Sequence, residues 1–221
     1  MKLRFGVNRF FVSFHKVNNT VREVVFTSFG PFRDIEHNPS ILVAAAAAAV
    51  VSAAGGLARA EQLEVTYLAA ERFAHSIGRG PLRIHLGLAA SRTEVTVERW
   101  GHPESGTEPD NAGVLGPVRG VEAAPLQSHG AEPLAEALRL EGVLAALSDD
   151  AGGFVCNALL WSSLASGADS CFVHLPLLSD DEAQEVGRCL GRAVCRWLAG
   201  EALVCGRLLA DPAVCVAPGE G

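Results

Sequence analysis

Lysine is nearly absent from this chain: only Lys2 and Lys16 carry it, both at its extreme N-terminal end. Acid is missing from the same stretch, since Lys2, Arg4, Arg9, Lys16 and Arg22 all precede the first carboxylate, Glu23. The formal charge of -7 therefore hides an asymmetry, and the rest of the chain carries about -12. An acidic body of that kind excludes nucleic acid as a partner. Long apolar runs are lacking too. None approaches the ~20 residues that a bilayer-spanning helix needs, so no membrane partner is expected. The cysteines, at 156, 171, 189, 195, 205 and 215, form no C-x-x-C and no paired Cys/His spacing, which excludes the usual zinc sites. A disulfide scaffold is not expected in a chain this long. Apart from Cys156, the cysteines read as small core residues of a reducing compartment.

The basic stretch 1–20, with Phe5, Phe10, Phe11 and Phe14 interleaved, fits an organelle-targeting presequence, a plain extension, or an upstream start codon. Its compositional break marks Val21 as the start of the fold. A chain of 221 residues suits one well-buried domain, placed at 21–200, followed by a tail at 201–221.

Within that domain strands and helices interleave. Val24 to Phe26 is a short apolar run closed by Gly30 and Pro31, the pattern of a buried strand. Asn38 as N-cap and Pro39 at the first helical position open an alanine-rich helix over 41–54, which Gly55 and Gly56 end. A strand follows at Leu63 to Leu68, a helical turn or two at Glu71 to Ile77, and a strand at Leu82 to Leu88. Thr93, Val95 and Val97 alternate with Glu94, Thr96 and Glu98, so Glu98 ends a strand with one polar face. A helix is expected from Glu132 to Leu140, while Gly142 to Leu147 fits helix and strand equally. Asp180 and Asp181 cap a last long helix whose Val186, Leu190, Ala193, Val194, Trp197 and Leu198 recur at helical spacing. The predicted fold is a three-layer α/β/α sandwich around a mostly parallel, mixed sheet.

The chemistry concentrates between Asp149 and Pro176. Gly152 and Gly153 lead into Cys156 where a helix begins, and a helix N-terminus favours a thiolate. Cys171, Phe172 and Val173 then deliver His174 at a strand end, where an imidazole works as a proton shuttle. By spacing alone the pair reads first as a buried cysteine and a satisfied histidine of the core. Glu94, Glu98 and Glu104 are equivalent by composition as an acid to orient the imidazole. His75, His85 and His129 have no mutual spacing that suggests ligation. Phe29 and Phe32, across the Gly30-Pro31 turn, either close on a flat ring or belong to the core.

FTSFGPFRDIEHNPS (26–40), VTVERWGHPESGTEPDN (95–111), GGFVCN and FVHLP together resemble, in order, the motifs of type I pyroglutamyl peptidases. The resemblance spans about 21–200. It implies a cysteine peptidase of phosphorylase/hydrolase-like fold that removes an N-terminal pyroglutamyl residue from peptides in the cytoplasm, as a monomer or a homo-oligomer. It selects Glu98 to complete a triad with Cys156 and His174, and it makes 142–147 a strand. It implies that Phe29 and Phe32 sandwich the lactam ring, that Asn38, Phe154 and Val155 also bind substrate, and that no metal or organic cofactor takes part. Many bacterial members carry an arginine shortly before the P-D-N motif, where this chain has Thr107 and Glu108. Two competing readings stand beside it. A glutamine-amide-cleaving cysteine hydrolase would place glycine close after the nucleophile, where Asn157 and Ala158 stand. A degenerate member would bind pyroglutamyl peptides without turnover.

Overall fold

The computed structural model describes residues 22–210 apart from 34, 105, 107 and 118–122, with side chains described through residue 200. The basic extension at 1–20, Val21, Thr107, Cys205 and Cys215 lie outside the described residues or side chains.

A six-stranded sheet forms the middle layer, in the order β2-β1-β3-β8-β4-β7. Its strands are β1 (Val24–Phe29), β2 (Ala58–Leu63), β3 (Leu82–Leu88), β4 (Val95–Glu98), β7 (Ala145–Ser148) and β8 (Ser170–Leu175). β5 (Trp100–Gly101) and β6 (Leu126–Gln127) pair apart from it. β2, β1, β3 and β8 run parallel, and β4 lies antiparallel to β8 and parallel to β7. The mostly parallel, mixed sheet expected from the sequence is the one observed.

Strand alternation decides which face does what. Val24 and Phe26 of β1, Leu82, Ile84 and Leu86 of β3, Val95 and Val97 of β4, and Cys171, Val173 and Leu175 of β8 pack into one apolar cluster. That cluster is closed by α1 (Ser40–Ala53), α3 (Ala131–Leu140) and α5 (Asp180–Ala210). The intervening residues, among them Thr27, Arg83, His85, Thr96, Glu98 and His174, are buried but polar. They face the other layer, α2 (Tyr67–Ser76) and α4 (Val155–Ala165), together with a smaller apolar cluster. The sandwich thus has one wholly apolar seam and one seam that carries chemistry.

The alanine run of α1 has a packing reason. A Cβ added at Gly187 of α5 would stand 2.7 Å from the carbonyl oxygen of Val43, and one at Gly191 2.8 Å from that of Ala47. Small residues on both helices let their backbones touch. The spaced apolar residues of α5, Val186 through Leu198, all pack against the same cluster, as their periodicity predicts.

Three elements differ from expectation. The strand placed at Leu63 to Leu68 lies instead at Ala58–Leu63. That strand is the sheet's edge and reads ARAEQL, with Arg59 paired to Glu23 and Glu61, so polar side chains mask its pattern. Leu63, Val65 and Tyr67 do alternate into the core, but across the crossing from strand to helix. α2 accordingly begins earlier and runs longer than predicted, capped by Thr66, whose hydroxyl accepts from the N–H of Ala69 at 3.1 Å. The last helix is capped by Ser179, not by Asp180 or Asp181. Ser179 Oγ accepts from Glu182 N–H and Glu182 Oε2 accepts from Ser179 N–H at 2.8 Å, a reciprocal capping box. α5 runs on to Ala210.

Candidate active site

β4 and β8 place Glu98 and His174 on the polar seam. Their register sets Thr96 opposite His174 and Glu98 opposite Phe172, so Glu98 reaches His174 diagonally. His174 Nδ1 and Glu98 Oε1 are 2.8 Å apart, with Glu98 fully buried and His174 5 % exposed. Burial holds the imidazole below its ordinary pKa, and the neighbouring carboxylate offsets only part of that shift. His174 is therefore neutral at neutral pH, with Nδ1 committed to Glu98 and Nε2 facing away from it.

Cys156 comes from the third element. It is the second residue of α4, a helix with no side-chain cap, so the N–H groups of its first turn have no capping partner. The thiol lies against Gly87 of β3, the register partner of His174. A Cβ at Gly87 would stand 2.9 Å from Cys156 Sγ. The residue keeps part of its surface open. Even so, loss of water around the sulfur, and after it the charge of Glu98, pushes the thiol up to about 12. The sequence predicts a thiolate favoured by the helix terminus. Desolvation and the buried carboxylate work against the thiolate that the helix terminus favours. Among the described residues no hydrogen bond joins this thiol to His174.

The aromatic residues gather beside the thiol. Phe32 stacks on Phe154, the residue before α4, with ring centroids 4.7 Å apart, and Tyr67 meets Phe154 edge-on at 5.7 Å. Phe29, 3 % exposed at the end of β1, and fully buried Val155 belong to the apolar cluster that supports them. Asn38 holds the loop from beneath: its Nδ2 donates to the carbonyl of Gly30 at 3.2 Å and its Oδ1 accepts from the N–H of Ser40 at 3.1 Å. That second bond closes an Asx turn just ahead of α1, whose cap position is Pro39 with no side-chain cap bond, one residue beyond the Asn38 cap expected from the sequence.

A second loop is fastened to the first. Asp110 accepts from the N–H groups of Tyr67, Ala112 and Val114. Burial alone would raise its pKa, but those donors take it below the usual carboxylate value. Asn111 donates to the carbonyl of Pro31 at 3.0 Å, and Tyr67 Oη donates to the carbonyl of Glu108 at 3.0 Å. Glu108, which stands where bacterial members carry arginine nearby, pairs with Arg33, whose guanidinium lies 4.6 Å over the Phe32 ring.

Four residues that the sequence gives no signal for hold these parts together. Arg92 pairs with Glu98, and Tyr67 completes the aromatic group. Gly87 makes room for the sulfur. Asn157, fully buried, clamps the loop after β5, accepting from His102 N–H at 2.7 Å and donating to the carbonyls of His102 and Glu104 at 2.9 Å each. His85, by contrast, is a satisfied core histidine between Thr27 Oγ1 at 2.8 Å and Ser163 Oγ at 3.1 Å, with burial depressing its pKa to about 3.

A buried acid-imidazole pair, a thiol at an uncapped helix start and a ring of aromatics suit acyl transfer by a cysteine. Comparison with known proteins agrees. A family model described as pyroglutamyl peptidase matches residues 22–195. A pyrrolidone-carboxylate peptidase of Cupriavidus pinatubonensis is 30% identical over 183 residues, covering 76% of this chain and 84% of that one. A pyrrolidone-carboxylate peptidase of Chromobacterium violaceum is 29% identical over 181 residues, covering 76% and 83%. Among solved structures, pyroglutamyl peptidase I of Bacillus amyloliquefaciens superposes with a TM-score of 0.64 at 25% identity, over 79% of this chain and 97% of its own. Pyrrolidone carboxyl peptidase of Thermus thermophilus gives 0.59 at 27% identity, over 76% and 99%. The chain belongs to the pyroglutamyl peptidase family of cysteine peptidases.

Proposed function

We propose that this chain hydrolyses the amide bond after an N-terminal pyroglutamyl residue, with Cys156, His174 and Glu98 as its triad. Cys156 Sγ attacks the pyroglutamyl carbonyl carbon while its proton passes to His174 Nε2. The developing oxyanion is received by N–H groups in the first turn of α4, which carry no side-chain cap. Collapse of the tetrahedral intermediate expels the peptide amine, which takes the proton back from His174. Water, deprotonated by His174, then attacks the thioester and releases pyroglutamate and free thiol. Glu98 fixes the tautomer and stabilises the imidazolium formed in each half-reaction.

The lactam ring lies against Phe32 and Phe154, over the support of Phe29, Val155 and the Asn38-held loop. The single observation that carries the reading is the 2.8 Å contact of His174 Nδ1 with buried Glu98, which leaves Nε2 as the free nitrogen. No metal or organic cofactor enters any step. Among the described residues Cys156, Cys189 and Cys195 are free thiols, which supports action in a reducing compartment, the cytoplasm.

The test is release of a fluorogenic amine from a pyroglutamyl amide, beside prolyl and glutaminyl amides, by the wild type and Cys156→Ser. Turnover of the pyroglutamyl amide alone, abolished in the variant, is the expected result. Binding without turnover, or full activity in Cys156→Ser, refutes it.

A further inference from the structure

The triad acid does not stand alone. Glu98 Oε1 accepts from His174 at 2.8 Å, from Arg92 Nη1 at 2.6 Å and from Thr96 Oγ1 at 3.3 Å, while Oε2 has no hydrogen-bond partner among the described residues. Every contact that orients the carboxylate passes through one oxygen. Arg92 is the charged one among them, and it also contacts the Thr96 hydroxyl. It rises from a turn closed by its own N–H on the carbonyl of Ala89 at 2.9 Å, in the loop between β3 and β4.

The other end of the guanidinium reaches elsewhere. Arg92 Nη2 donates to the carbonyl of Asp150 at 2.8 Å and lies 3.4 Å from Ser148 Oγ. Asp150 belongs to the turn that runs through Gly152 and Gly153 into α4 and the nucleophile. A fork of rigid donors is what spanning two acceptors in different segments requires, and a lysine ammonium lacks that shape.

We propose that Arg92 is a positioning residue that straps the triad acid to the turn delivering Cys156, so that acid, imidazole and thiol keep one mutual geometry. The inference rests on the triad reading above and deepens it. Its charge has a second consequence. The titratable and charged groups around His174 are Glu98 from β4, Arg92 from the β3–β4 loop, Asp150 from the turn before α4, and Cys156. Glu98 and Asp150 favour the imidazolium and Arg92 disfavours it. Removing Arg92 therefore moves the acid limb of the kcat/KM profile to higher pH, whereas removing the charge of Glu98 moves it to lower pH.

The experiment compares Arg92→Gln, Arg92→Lys and Glu98→Gln for kcat, KM and the pH profile with a pyroglutamyl amide. Arg92→Gln loses strap and charge: kcat falls about a hundredfold, as for misplacement of reacting groups by about an ångström, KM holds, and the acid limb rises. Arg92→Lys keeps the charge and loses the fork, so kcat falls while the acid limb stays. The side chain of Arg92 is 22 % exposed, so added guanidinium ion has a route to the site and restores kcat in Arg92→Ala. Wild-type kcat in folded Arg92→Gln, or an acid limb that does not rise, overturns the proposal. If Arg92→Gln does not fold, wild-type kcat in Arg92→Lys overturns it. Activity surviving in Cys156→Ser would instead overturn the triad reading, leaving the two failures distinguishable.

Discussion

Gly87→Ala should disable this protein while leaving it folded. The added methyl would stand 2.9 Å from Cys156 Sγ, 2.8 Å from Phe172 Cζ and 3.1 Å from Phe172 Cε1. Comfortable carbon contacts begin near 3.5 Å, so the overlap is about 0.7 Å on the ring. The strain has two outlets. If the thiol rotates away, the sulfur leaves its place against Gly87, the register partner of His174. If the ring yields, it moves against His174, whose centroid is 4.6 Å away, because Phe172 is fully buried and has nowhere else to go. Overpacking of this kind costs about 1–3 kcal/mol of stability. Either outlet displaces a reacting group by about an ångström, worth about a hundredfold in kcat, or about 2.7 kcal/mol of barrier. The assay is steady-state turnover of a pyroglutamyl amide, with thermal unfolding to count folded enzyme. Gly78→Ala is the control, since a Cβ there meets nothing within 4 Å. A folded Gly87→Ala enzyme with kcat within about threefold of wild type would refute the placement of the sulfur.

Glu98→Gln should lower kcat through tautomer and charge while KM holds, and a change confined to KM would remove Glu98 from the triad. Phe32→Ala should weaken substrate binding by about 1–3 kcal/mol, read chiefly in KM, and unchanged constants would remove the aromatic slot. With burial and Glu98 pushing its pKa up to about 12, the Cys156 thiol should react with iodoacetamide at pH 7 far more slowly than a free cysteine, and equal rates would mean a resting ion pair. His85 is neutral down to about 3 in the fold and titrates near 6.5 when unfolded, so stability from it is complete above about pH 6.5 and is lost as pH falls toward 3. Unfolding free energies from urea titrations over that range should drop at up to about 1.4 kcal/mol per pH unit, more shallowly in His85→Gln, and parallel profiles would refute its buried neutral state.

The central strands were legible because each alternates cleanly. LRIHLGL over Leu82–Leu88 and VTVE over Val95–Glu98 put apolar side chains on one face and Arg83, His85, Thr96 and Glu98 on the other. β2 was not legible, because an edge strand that solves its exposure with Arg59 and Glu61 carries no apolar period. The site divides in the same way. Cys156 and His174 sit in one local passage whose turn, helix start and strand can be read in order. Glu98 lies 76 residues from His174 in sequence, and only the family resemblance singles it out from Glu94 and Glu104. Arg92, Tyr67, Gly87 and Asn157 act across elements, each on a partner brought close by the sheet or by loop closure. Nothing in their own neighbourhood announces that.

The charge states of the pair constrain when the proton moves. Burial raises the Cys156 thiol to about 12 and lowers His174, so both shifts favour the neutral pair over thiolate and imidazolium. Glu98 works in both directions at once: its charge supports an imidazolium on His174 and opposes a thiolate on Cys156. A preformed ion pair is therefore penalised by the same carboxylate that would stabilise half of it. In the proposed reaction the conflict disappears once sulfur bonds to the carbonyl carbon, because the negative charge then leaves the sulfur for the carbonyl oxygen, beside the N–H groups that open α4. From that point Glu98 faces only the imidazolium, and its effect is wholly favourable. On the proposed mechanism, proton transfer and carbon–sulfur bond formation are accordingly coupled, and the acid is most useful in the transition state, where the charge it opposes has moved away.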